Sequence, residues 1–270
     1  DAVALGTKES RAIVIVAHSG AGKTHTIEHI IKTDRFADRS DEFGAIRPLV
    51  SVSAPSPCTL KTLGIEIIKK MTGEELRVST REHDIWRRVR NEARNLAVEV
   101  IVIDELHHLF ENRNSKEIET VLSTLKRLLI GETSDRTSVG DYLPITLLLA
   151  GLPHLAEIIA GDTQLLRRST VRPIDPLEAG KDGLEYLTKF VTSIDAALSH
   201  VMGKPQNLAM PDMILRLRSA GNFYCGRVAY LLKLAAKRAV DDGTFLIDRV
   251  EHLSKVYRDI HRATANGNDG

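Results

Sequence analysis

The feature that most narrows the fold is an eight-residue segment, AHSGAGKT at 17–24, set between a β-branched apolar run at 11–17 (RAIVIVA) and a helical pattern opening near Thr24. A strand, a glycine turn and a helix in that order form the context a phosphate-binding loop requires. Gly20 and Gly22 permit the tight backbone that points N–H groups at one centre, and the helix N-terminus adds its partial positive charge. The expected ligand is a nucleoside triphosphate, ATP with Mg2+. Ser19, Gly20, Ala21, Gly22 and the flanking His25 would line it, Lys23 would reach its β and γ phosphates, and Thr24 would place a hydroxyl on the Mg2+ ion. The eight-residue pattern ordinarily begins with Gly. Ala17 stands there, and is tolerated wherever φ is negative.

Three further runs read as buried strands: PLVSVS at 48–53, VEVIVID at 98–104 and LPITLLLAG at 143–151. Amphipathic stretches of helical period separate them, without hairpin signals, which implies a parallel sheet covered by helices on both faces. After about residue 176 the strand-like runs stop, and helical patterns follow near 178–201, 210–219, 223–241 and 247–261. The expected organisation is a RecA-like α/β nucleotide-binding domain over 1–176, a small helical lid over 177–262 and a disordered tail over 263–270. Segments 38–47 and 131–141 have loop composition. A chain of 270 residues with 43% hydrophobic content can bury a core of this size.

Charge is balanced, with 37 Lys and Arg against 36 acidic residues, so any nucleic-acid surface has to be local. The two cysteines, Cys58 and Cys225, form neither a disulfide framework nor a metal-ligand spacing, which fits a reducing, cytoplasmic setting. No apolar run approaches the length of a membrane span, so no membrane association is expected.

The third strand run ends in two carboxylates, Asp104 and Glu105. In a doubly wound sheet that position lies at the edge where the phosphate loop emerges. Asp104 can hold Mg2+ through water, and Glu105 can orient or deprotonate an attacking water. His107 and His108 follow directly and invite a metal reading. Adjacent residues point to different sides and the sequence shows no third ligand, so packing or loop contacts are the favoured role.

GAGKT, VIVIDELHHL, AGLPHL and DTQLLRRS together resemble the AAA+ ATPases, and within them the TniB/TnsC family of transposition regulators. RPLVSVSAPSPCTLKTLGIEIIKKM and GNFYCGRVAYLLKLAAKRAV sharpen that resemblance, which covers roughly residues 10–260. It implies an α/β fold of the P-loop NTPase (AAA+) type, a parallel sheet flanked by helices with a small C-terminal helical lid. It also implies an arginine finger at Arg168 acting in the neighbouring subunit's site, with Arg167 as the alternative, and a sensor arginine at Arg227 contacting nucleotide within the same subunit. Family members tend to carry a polar residue just past the fourth strand. This chain has Leu152, which implies slow or differently coupled hydrolysis.

The resemblance further implies ATP-dependent assembly into rings or helical filaments on duplex DNA, recruitment or activation of a transposase together with target-selection proteins, and disassembly on hydrolysis. The DNA contacts would fall in two loops, one following the second strand at 56–62 (SPCTLKT) and one preceding the third helix at 79–81 (STR). Lys61 and Thr80 are the first choices there, with Thr59 and Arg81 next, since a Lys or hydroxyl near phosphate binds without sequence preference. The same segments also read as an ordinary amphipathic helix with solvated lysines and a helix cap. Trp86, Arg87, Arg88 and Arg90 read as one partly buried aromatic among solvated charges. The alternative, from a different class of function, is a nucleotide switch, secretion- or signalling-associated, that docks protein partners without DNA.

Overall fold

The computed structural model describes residues 11–42, 44–130, 145–178 and 180–266. Its chain divides into two compact units: one made of Asp1–His18 with Lys23–Ile174, the other of Ser19–Gly22 with Asp175–Gly270.

In the first unit, β1 (Ala12–Val16) leads through the phosphate loop to α1 (Lys23–Ile31). Then come β2 (Arg39–Asp41), β3 (Gly44–Ile46), β4 (Leu49–Ser53), α2 (Leu60–Thr72) and α3 (Glu82–Asn95). They are followed by β5 (Val100–Asp104), α4 (Ser115–Ile130), β6 (Thr146–Gly151), α5 (His154–Ala160), α6 (Thr163–Arg167) and β7 (Ser169–Pro173). Five strands form one sheet in the order β4-β5-β6-β1-β7, and all four pairings are parallel.

The apolar runs are continuous because both faces of the sheet are covered. Ile101, Ile103, Leu147, Leu149, Val14 and Val16 face one core with Leu63, Ile67, Ile85 and Leu125. The alternating residues Val102, Leu148, Ala150 and Ile15 face a smaller core with Ile27. Period-two alternation across two buried faces is what makes a parallel strand look uniformly hydrophobic.

Two regions of the first unit depart from the sequence expectation. The 38–47 segment, read as a loop, holds the antiparallel pair β2 and β3, closed by Gly44 N–H donating to Asp41 Oδ1 at 3.1 Å. Three-residue exposed strands carry no apolar pattern to detect. Strand β7 was likewise unmarked, because STVRP is only partly apolar; it sits at the sheet edge beside β1, where its proline costs no central ladder bond. The 131–141 segment lies outside the described residues.

The second unit is helical: α7 (Lys181–Met202), α8 (Pro211–Ala220), α9 (Cys225–Asp241) and α10 (Lys255–Asn266) pack Leu187, Val191, Ile214, Leu217, Val228, Leu232 and Val256 into a core of their own. Helix α10 runs through 263–266, part of the expected disordered tail, and 267–270 lie outside the described residues. A π-helical turn, Arg249–Ser254, precedes α10. Within it His252 is buried, accepting at Nδ1 from Asp248 N–H at 2.7 Å, which leaves Nε2–H to donate to Asp242 at 2.6 Å. That bond, with two more from Thr244, holds the Asp242 carboxyl down at about 2.

Candidate nucleotide site at the strand ends

Asp104 is the last residue of β5, in register with Ser53 of β4 and almost fully buried. A carboxylate taken out of water needs hydrogen bonds, and two are present. Thr24 Oγ1 donates to Oδ2 at 2.8 Å and the Glu105 N–H donates to Oδ1 at 2.8 Å. The first of these joins residues 80 positions apart in sequence, at the start of α1 and the end of β5. Lys23 is also buried, with Nζ donating to the Ala17 carbonyl at 3.0 Å across the phosphate loop.

The loop's glycines sit where side chains are disfavoured, Gly20 at φ +75° and Gly22 at φ +109°. Ala17 is not among the residues of positive φ, so its methyl group is accommodated in place of the usual glycine. His25 lies exposed on α1. These residues fit ATP and Mg2+: a hydroxyl and a carboxylate meet where the cation would sit, and a buried ammonium group is bonded to the carbonyl of the residue that opens the phosphate loop.

Glu105 adopts the left-handed conformation, φ 53° and ψ 31°, which costs a non-glycine residue about 1–2 kcal/mol. The turn is held there by Leu106 and Leu109, both fully buried in the 3-10 segment Leu106–Leu109. That segment also brings in His107, whose side chain is 6% exposed with Nδ1 3.4 Å from Glu105 Oε2. The contact is not aligned as a hydrogen bond, and Nδ1 has no hydrogen-bond partner. Burial pushes the His107 pKa down, so the ring is neutral at neutral pH.

His108 Nδ1 bonds Glu111 at 2.8 Å. The two rings lie 4.3 Å apart, tilted by 36°, and His154 stands edge-on to His107 at 5.9 Å. Sequence reasoning had the two histidines diverging without a third ligand. The tight winding instead keeps them together with Glu105, and ligand atoms of all three lie within 4.8 Å of one another.

The remaining expected residues lie elsewhere. Arg168 caps α6, its carbonyl accepting from Ala12 N–H at 2.8 Å, and its guanidinium makes no hydrogen bond or ion pair among the described residues; Arg167 beside it is exposed. In the second unit, Arg227 donates Nε and Nη2 to the Ser19 carbonyl at 3.2 and 3.0 Å. Leu152 follows β6 and offers no polar side chain.

Thr59 is the N-cap of α2 in a reciprocal capping box with Thr62, so its hydroxyl already has a structural task. Lys61 stands in the first turn of α2, half-exposed, and Arg81 is the exposed N-cap residue of α3 with Thr80 before it. Arg113, unmarked in the sequence, donates to the Leu109 carbonyl and, at 3.1 Å, to the Cys58 carbonyl, tying the turn after Glu105 to the loop before α2. Trp86 is more deeply buried than expected, and Arg87 and Arg88 pair with Asp84 and Glu74.

A five-stranded parallel sheet, a phosphate loop after its fourth-positioned strand β1, and an Asp-Glu corner whose aspartate is buried define the AAA+ class of P-loop ATPase fold. Similar solved structures include the Aeropyrum pernix ORC2 protein in ADPNP–ADP complexes, at TM-score 0.58 and 15% identity over 93% of this chain and 62% of that one. The Walker-type ATPase PABY2304 of Pyrococcus abyssi matches at TM-score 0.57 and 13% identity, covering 98% and 71% of the two chains. The Aeropyrum pernix ORC1 protein in complex with DNA matches at 0.56 and 14%, covering 97% and 62%. This chain therefore spans less than two thirds of either ORC protein. At such identities these likenesses show the fold alone. The chain belongs to the bacterial TniB protein family, whose model matches residues 3–178. No curated protein matches it.

Proposed function

We propose that this chain is an ATP-dependent regulator of DNA transposition. It binds ATP with Mg2+, assembles with copies of itself on duplex DNA, recruits or activates a transposase with target-selection proteins, and uses hydrolysis to disassemble. The observation that carries the nucleotide half is the Thr24–Asp104 hydrogen bond, which joins the phosphate loop to the acidic strand end. Membership of the TniB family supports the transposition half, and a fold shared with an ORC1 protein solved on DNA supports the DNA reading.

Thr24 and Asp104 would hold the cation, and Lys23, released from the Ala17 carbonyl, would turn to the phosphates. Bound ATP supplies an electrophilic γ-phosphoryl group whose charge Mg2+ offsets. Glu105 orients a water and accepts its proton; the backbone strain at this residue fixes where its carboxylate starts from. Arg168 of one copy would complete the site of the next, and Arg227 would report on nucleotide through the Ser19–Gly22 backbone. With Leu152 in place of a polar sensor, hydrolysis is slow and dependent on assembly. Lys61 and Arg81 contact DNA phosphates, with Thr80 and Thr59 beside them.

Negative-stain imaging and gel filtration with duplex DNA and a slowly hydrolysed ATP analogue test the whole reading. Rings or filaments that need both DNA and nucleotide are expected, and Lys61→Ala weakens them. A chain that binds the analogue but ignores DNA at low salt would instead be a nucleotide switch for protein partners.

A further inference from the structure

We propose that Glu105, His107 and His108 form a binding site for a transition-metal dication of the Zn2+ class, separate from the Mg2+ position at Thr24 and Asp104. Three observations point there. First, one ligand atom from each of the three residues falls within 4.8 Å of the others. Ligand atoms about 2.0–2.1 Å from a tetrahedral ion stand roughly 3.3 Å apart, so side-chain rotation of the partly exposed Glu105 and His108 closes the set.

Second, His107 Nδ1 is a buried nitrogen with no hydrogen-bond partner, on a side chain 6% exposed, and it faces Glu105 at 3.4 Å. Groups of this kind are uncommon in folded proteins and call for a ligand or a function. Third, His108 Nδ1 bonds Glu111 at 2.8 Å; a carboxylate accepts, so Nδ1 carries the proton and the lone pair available to a metal is on Nε2. A carboxylate behind a ligating imidazole is the usual outer partner that fixes tautomer and ring orientation.

Two imidazoles and one carboxylate are the donor set of borderline-soft dications; Mg2+ prefers oxygen and retains its waters. The site therefore discriminates between the two ions by chemistry. Its consequence rests on the role of Glu105 proposed above: an ion bound there occupies the carboxylate that accepts the proton from water, so Zn2+ would arrest turnover while leaving nucleotide bound.

The test uses Co2+ alone as a spectroscopic probe on the full, nucleotide-free chain. A one-to-one complex is expected, with visible d–d bands stronger than those of the hydrated ion, bleached by equimolar Zn2+ and unmoved by millimolar Mg2+. His108→Ala should weaken Co2+ binding at least tenfold, and Glu111→Gln by about tenfold through its outer position. A spectrum identical to the hydrated ion, or an unchanged titration in His108→Ala, overturns the site. Because the spectrum needs no ATP, it is independent of the hydrolysis reading. Bands without ATP turnover in the wild type would fail that reading and keep the site, and turnover without bands would do the reverse.

Discussion

Two regions of the first unit are built on opposite terms. At the strand-end corner Asp104 is almost fully buried, accepts from Thr24 and from the Glu105 N–H, and leads into a turn pinned by Leu106 and Leu109. At the rim formed by the N-termini of α2 and α3, Lys61 has no ion pair among the described residues and Arg81 makes no side-chain cap. On the function proposed above, the difference follows from the chemistry each region would do. Proton transfer and cation binding demand atoms fixed to a fraction of an ångström, whereas sequence-independent phosphate binding demands only charge within reach. The corner therefore has few tolerable substitutions, and the rim has many.

The largest expected effect is at the corner. Glu105→Gln keeps the shape and removes the proposed base, so ATP turnover should fall by about 10²–10⁴-fold while nucleotide affinity stays within a few-fold. A fluorescent-nucleotide titration beside a phosphate-release assay reads both numbers. Turnover within tenfold of wild type would move the base elsewhere.

The next effect concerns what holds the rim. Gly64 of α2 packs so close to α3 that an added Cβ would lie 2.6 Å from Ile85 Cγ2. Gly64→Ala should cost about 1–3 kcal/mol in urea unfolding, as overpacking does, and should shift the helix N-termini that carry Lys61 and Arg81 relative to each other. Unchanged stability would show that the two helices slide apart freely. Smaller again is the direct loss of charge. Lys61→Ala should lower the slope of log affinity against log salt by about 1 and weaken DNA binding several-fold at every sequence tried. An unchanged slope would remove Lys61 from the DNA surface.

How much of this was legible in the sequence divides along the same line. The phosphate loop and the Asp-Glu pair could be read because each needs particular residue types next to one another in the chain, at strand ends that the apolar runs already marked. The β7 strand and the β2–β3 pair could not, since STVRP and two exposed three-residue strands carry no periodic apolar signal. The neighbourhood of Glu105 with His107 and His108 was misjudged for a geometric reason. Alternation along a regular helix or strand separates adjacent side chains, but the left-handed Glu105 and the 3-10 winding after it bring them back together. The α2–α3 approach at Gly64 was invisible because only the tertiary packing of Ile85 gives that glycine its meaning.

The smallest expected effect isolates the strain that separates corner from rim. Elsewhere in a chain, Gly is less stable than Ala by about 0.5–1 kcal/mol because it loses more freedom on folding. At φ 53° and ψ 31° the order should invert, since Ala retains the left-handed penalty of about 1–2 kcal/mol and Gly does not. Glu105→Gly and Glu105→Ala both abolish the carboxylate and its contact with His107, so those losses cancel in the comparison. Glu105→Gly should be the more stable by about 1 kcal/mol in urea midpoint, with neither variant turning over ATP. If Glu105→Ala proves equal or more stable, the turn relaxes once the carboxylate is gone. The buried Leu106 and Leu109 would then not be what holds Glu105 in its conformation, and preorganisation of the base would have to come from the bound nucleotide.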